Sequence, residues 1–232
     1  MKRSDVAGSL CLDFVNTVDP RHASPREEHL PDYPALLDWA RHAGVVTPAE
    51  ASRLAAAARS RQAAAARAHE DAIALREALY AIFAAVARGE APPAGSLRRL
   101  NDEVARRPRE IVGFAWKPAA GDDALDGVLG PIVWSTAELL TSGPLERVRE
   151  CPGDDTCGWL FLDTSRNGSR RWCDMRTCGN RAKARRFYRR SVGASQFPVC
   201  RPVISDGRAG NPHVLKSAPQ AVPQSRAAST RP

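Results

Sequence analysis

Four cysteines near the C-terminal end restrict this chain more than any other feature. Cys151, Cys157, Cys173 and Cys178 fall as two close pairs, in a C-x5-C, x15, C-x4-C arrangement. Two nearby pairs of soft ligands in a short segment can close on one metal ion. Four thiolates suit zinc in a closed tetrahedral site, with Zn–S distances of about 2.3 Å. A turn-borne first pair and a second pair at a helix start follow the logic of a treble-clef finger. The Pro, Gly and Asp residues between Cys151 and Cys157 suit such a turn. Other chemistries of the same cysteines are an iron–sulfur cluster, a redox-sensing thiol switch, and unrelated buried thiols.

The cysteines adjoin a basic run. Ten Arg or Lys lie between Arg166 and Arg190, against the single acid Asp174. The net charge of +8 is therefore uneven: residues 1–165 carry −5, residues 166–190 +9 and residues 191–232 +4. An acidic body with a basic end suggests that the end meets a polyanion.

Six cysteines in 232 residues are too few for a disulfide scaffold. Asp13 interrupts the only early apolar run, so no leader is expected. No stretch approaches the roughly 20 apolar residues of a membrane span. A cytoplasmic setting, where clustered thiols stay reduced, fits these features.

The body reads as mainly α with a small β component. Tyr33 to His42 is a short helix ended by Gly44. Thr47-Pro48 caps an Ala-rich helical stretch running to about Gly89, with Ile73, Leu75, Leu79, Ile82, Phe83 and Val86 at helical spacing. After the linker Ala91 to Gly95, Ser96 is expected to cap a helix from Leu97 to Arg107. Ile111 to Lys117 alternates as a strand, with Val112, Phe114 and Trp116 on one side. Ala124 to Leu140 returns to a helical pattern, and Trp159 to Asp163 suits a strand. The break at Ser142-Gly143-Pro144 divides the chain into a helical domain, 1–143, and a finger with its basic helix, 144–190. The proline-rich 191–232 segment is expected to be a disordered tail. Cys11 and Cys200 lack neighbouring partners and are not expected to be ligands. His22, His29, His42 and His69 show no metal spacing.

Asn180 to Arg190 reads NRAKARRFYRR. On a helix, Ala184, Phe187 and Tyr188 share one stripe, expected to dock inward on the finger. Arg181, Lys183, Arg185, Arg186, Arg189 and Arg190 spread over the rest. With Arg170, Arg171 and Asn180 they form the expected nucleic-acid surface, which would bind phosphates and gain affinity from counterion release.

The run CGWLFLDTSRNGSRRWCDMRTCGNRAKARRFYRR, Cys157 to Arg190, resembles the CGNR zinc finger. The opening LCLDFVNTVDP, Leu10 to Pro20, resembles the start of the ABATE domain that precedes this finger in a family regarded as stress-induced transcription regulators. The resemblance implies zinc at the four cysteines and DNA as partner. Asp13, Asn16 and Thr17 in the opening motif fit either a ligand pocket or buried hydrogen bonds that fix the chain's entry to the core.

Two functions use the same cations: a zinc-dependent DNA-binding transcription regulator, whose N-terminal domain senses a ligand or partner or dimerises, and an RNA-associated zinc protein that stacks bases on Trp172, Phe187 or Tyr188. Homo-oligomer formation is compatible with either. An enzyme is not expected. Four cysteines leave zinc no open position, and no phosphate loop, G-x-S-x-G or H-E-x-x-H occurs.

Overall fold

The computed structural model describes residues 6–113, 115–118 and 124–193, which pack as one unit. At its centre is α4, Gln62–Arg88. Ala65, Ala68, Ala72, Leu75, Leu79 and Ile82 recur every three or four residues along it and, with Phe83, are buried. Around this stripe pack α1 (Leu10–Val15), α2 (Tyr33–His42), α3 (Pro48–Ser60) and α5 (Ala94–Arg106), and α6 (Gly130–Ser142) packs against α1 and α5. Phe14 of α1 meets Trp39 of α2 with ring centroids 5.3 Å apart. Truncating a fully buried core side chain such as Leu75 to Ala typically costs about 2–5 kcal/mol.

Local chemistry explains three of the helix ends. Asp32 caps α2 by accepting from the Ala35 N–H at 2.8 Å. Thr47 and Glu50 form a reciprocal capping box at the start of α3. Gly89, with φ of 71°, closes α4 in the left-handed region.

Four expectations are corrected. The Ala-rich stretch is two helices, broken at Arg61, where φ is −125° and ψ 54°. Ser96 is not a cap: α5 begins at Ala94, because Pro93 holds the extended backbone from which a helix can start. The Ile111–Lys117 strand is instead a hairpin of β3 (Arg109–Val112) and β4 (Ala115–Pro118), with Gly113 at φ 65° in its turn. Phe114 lies outside the described residues. The segment after Ala124 opens with a tighter three-residue-per-turn helix, Leu125–Leu129, before α6.

Two short strands, β1 (Val18–Asp19) and β2 (Glu27–Glu28), pair after α1. Beyond α6, β5 (Val148–Glu150) pairs antiparallel with β6 (Leu160–Leu162), Val148 opposite Leu162 and Glu150 opposite Leu160. Period-two alternation serves two cores here. Val148, Leu160 and Leu162 pack with the helical body, while Phe161 points into a second cluster made with the four cysteines. After β6 the chain reaches α8, Asn180–Gly193. The expected tail therefore begins as three further helical residues, and the rest of it, with Cys200, lies outside the described residues.

Candidate metal centre and basic helix

The connection between β5 and β6 carries Cys151, the one-turn helix α7 (Gly153–Thr156), and Cys157. Two backbone bonds close it: Cys151 N–H to Trp159 O at 2.8 Å and Gly158 N–H to Cys151 O at 3.1 Å. Gly158 has φ of 65°, and a Cβ there would fall 2.5 Å from the His22 ring. Only glycine fits this crossing. After β6, Asp163 organises the return. Its carboxylate accepts from the Ser165 N–H at 2.9 Å, the Ser165 hydroxyl at 2.6 Å and the Arg170 N–H at 3.0 Å. The Ser165 hydroxyl and these two amides hold the Asp163 carboxyl below its usual range.

Arg170 then clamps the irregular segment entering Cys173. It donates to the carbonyls of Trp172 and Val6, each at 3.0 Å, and of Cys173, and lies 4.5 Å from the Phe161 ring centroid. Its guanidinium is thus engaged with the finger itself. Arg171 is exposed, 5.7 Å from the Trp172 ring.

The second pair leads into α8 through a widened turn. Asp174 caps it by accepting from the Arg176 N–H at 2.7 Å, and Gly179 N–H reaches back five residues to Asp174 O at 3.1 Å. Each residue of the Cys178–Arg181 motif has a visible task. Cys178 supplies a sulfur. Gly179 leaves room for Met175, whose Sδ would sit 2.6 Å from a Cβ. Asn180 donates to Arg176 O at 3.3 Å, and Arg181 donates to Cys178 Sγ at 3.6 Å.

The four Sγ atoms lie within 4.8 Å of one another, all buried, and none is in a disulfide. Cys157 to Cys173 and Cys173 to Cys178 are both 3.7 Å apart. A tetrahedron with metal–sulfur distances of about 2.3 Å has edges of about 3.8 Å, so the set fits zinc. The four thiols differ in acidity because each is the others' hydrogen-bond partner. Hydrogen bonds from the other three thiols, then the nearby Arg181 cation, push Cys178 down; the hydrogen bonds with Cys151, Cys157 and Cys178, then burial, push Cys173 up. A divalent cation removes the competition by favouring thiolate at all four.

The finger is buckled to the body by the opening motif. Both ends of the Asn16 amide engage Leu160, donating to its carbonyl at 2.7 Å and accepting from its N–H at 2.9 Å. Arg21 and His22 donate their N–H groups to Cys157 O and Thr156 O at 2.9 and 3.0 Å. Trp159 Nε1 donates to Val18 O at 3.2 Å. Asp13 accepts from Ala7 N–H at 3.0 Å, and the Thr17 hydroxyl donates to Phe14 O at 2.8 Å. Asp13, Asn16 and Thr17 are thus engaged in hydrogen bonds that fix the chain.

Two buried arginines behind this buckle went unnoticed in the sequence. Arg76 on α4 pairs with both carboxylate oxygens of Glu28 at 2.6 and 2.7 Å, and Arg21 with Glu77 at 2.7 Å. Burial alone would raise the Glu28 carboxyl. The Arg76 hydrogen bonds, the Leu30 N–H and the charges of Arg76 and Arg21 together outweigh it and hold the group below its ordinary value. No local pattern marks these pairs, since their members are 48 and 56 residues apart. Asp163-Thr-Ser, by contrast, is a readable side-chain turn signal.

The basic helix differs from expectation in one respect. Phe187 and Tyr188 do not dock on the finger; they are 68% and 67% exposed. α8 packs chiefly through its root, against the widened turn Met175–Gly179 and α7. Arg181, Lys183, Arg185, Arg186, Arg189 and Arg190 are all exposed. Ala182, Arg185, Arg186, Arg189 and Arg190 line a shallow cleft on one side of the helix.

A family model for ABATE, described as "Putative stress-induced transcription regulator", matches residues 8–143. The chain belongs to the ABATE family. The CGNR zinc-finger model matches residues 147–191 of this ABATE protein, directly after the first match. The four cysteines of this ABATE protein hold one zinc ion. No curated protein matches the chain. Among the described residues, no helix is long and apolar enough to cross a membrane.

Proposed function

We propose that this ABATE-family chain is a zinc-dependent, DNA-binding transcription regulator that works in the cytoplasm without catalysing a reaction. The observation that carries the reading is α8: six exposed cations and no acid on a helix rooted in the zinc knuckle. Fourteen residues make a helix about 21 Å long. That length and a helix diameter of about 10–12 Å suit the B-DNA major groove, about 12 Å wide. The zinc is structural in this reading, because four thiolates complete its coordination. The metal fixes the root of α8, and the helix supplies the contact. The helical body, tied to the knuckle through Asn16, Arg21 and His22, is the part that receives a ligand or partner.

Titration of the zinc-loaded protein with duplex DNA over a range of salt tests this. Binding should weaken with salt at a log–log slope of roughly −4 to −5 if about five phosphates are contacted. Equal binding at all salt concentrations, or none, overturns it. Tighter binding to single-stranded RNA than to duplex DNA favours the RNA-associated alternative.

A further inference from the structure

The stripe of Ala184, Phe187 and Tyr188 has cations on both borders. Arg181 and Arg185 flank Tyr188 on one side, and Lys183 and Arg190 flank Phe187 on the other, by helical spacing. Two large apolar rings left about two-thirds exposed on a helix are a surface awaiting a partner. Charge decides among the occupants. A second copy of α8 would bring six more cations against these six. The chain's own 194–232 segment carries five cations and one acid, so it too is repelled. DNA is complementary to both borders.

We propose that Ala184, Phe187 and Tyr188 form the face of α8 that lies on the floor of the major groove, where they contact thymine C5-methyl groups, while the bordering cations reach the phosphates on either side. This rests on the DNA-binding reading above. The major-groove floor is mostly polar, and the thymine methyl is the apolar group it presents. The ring geometry favours methyl contact over stacking. A base sandwiched between the two rings needs them parallel and about 7 Å apart, twice the roughly 3.4 Å spacing of stacked bases. Phe187 and Tyr188 stand at 76° with centroids 6.2 Å apart. A methyl group needs no parallel plane.

The test uses the full zinc-loaded chain and two duplexes. One alternates deoxyadenosine and thymidine; the other carries deoxyuridine for every thymidine and differs only in the methyl groups. Each buried methyl should be worth about fourfold in affinity. Wild-type protein should prefer the thymidine duplex by that factor or more. Phe187→Ala and Tyr188→Ala should erase the preference, while the salt slope and one zinc per chain are retained. Equal affinity of wild type for both duplexes, with a steep salt slope, overturns the methyl contact and leaves the DNA reading standing. Absence of salt-dependent binding to either duplex overturns both. Tighter binding to the single strand that Phe187→Ala abolishes assigns the rings to stacking instead. A dimer by sedimentation that Phe187→Ala dissolves assigns them to a second copy.

Discussion

The Asn16 side chain completes both hydrogen bonds of the Leu160 peptide, donating to its carbonyl at 2.7 Å and accepting from its N–H at 2.9 Å across 144 residues. One amide thereby joins the opening helix to the strand that leaves the first zinc pair. Leu160 is fully buried, so neither of its peptide groups has water as a substitute.

Asn16→Leu should therefore be among the most damaging single changes in the body. Leaving a buried donor and acceptor unmet costs about 2–4 kcal/mol together. For a unit of this size that lowers the melting temperature by roughly 5–15 °C. Thermal denaturation followed by circular dichroism checks it, and a shift within error would mean that the pairing is energetically idle.

Removal of zinc should reach the helical body. Structural zinc contributes on the order of 10 kcal/mol to folding of such modules. Here Val148 and Leu160 of the finger hairpin are also part of the body's core. A chelator, or Cys173→Ser, should lower the melting temperature of the helical signal as well as unfold the knuckle. A helical melt identical with and without zinc would show that the body is indifferent to the metal.

The arginines of α8 should separate into two groups. Arg181 hydrogen-bonds a ligand sulfur, whereas Arg186 and Arg189 border the shallow cleft. Loss of an outer partner to a metal ligand typically costs about 10–100-fold in metal affinity. Competition with a chromogenic chelator should show weaker zinc retention for Arg181→Ala and none of this effect for Arg186→Ala. Arg185→Ala combined with Arg190→Ala, one from each border of the Phe187–Tyr188 face, should keep zinc and flatten the DNA salt slope by up to about 2.

Acid should loosen the buckle through Glu28. Its folded carboxyl sits below the ordinary value because Arg76 binds the charged form. A depressed carboxyl contributes stability that is complete above the unfolded value, about 4.3, and is lost as pH falls through the folded value. Denaturant titrations at neutral and acidic pH should show wild type losing more stability than Glu28→Gln over that interval. Parallel losses in the two proteins would place the acid response elsewhere.

Much of the site was legible because its chemistry is local. Four ligands within 28 residues, the capping box of Thr47 and Glu50, and the run of arginines after Cys178 each announce themselves over a few turns of chain. What sequence could not carry was pairing at a distance. Nothing near Arg21 or Arg76 says that either is buried, since their partners arrive from another strand or helix. Ser96 is a good cap by type, yet Pro93 set the extended backbone first. Phe187 and Tyr188 show helical periodicity, but periodicity defines a stripe and not whether anything covers it.

The carbonyls of Thr156 and Cys157 accept from the amides of His22 and Arg21, so the ligand loop and the opening segment share a backbone ladder. Coupling between two sites is reciprocal: the factor by which metal occupancy changes the affinity of residues 16–22 for a molecule is the factor by which that molecule changes metal affinity. A molecule held by residues 16–22 would therefore act on the zinc knuckle without touching the metal, and free zinc would tune how tightly it is held.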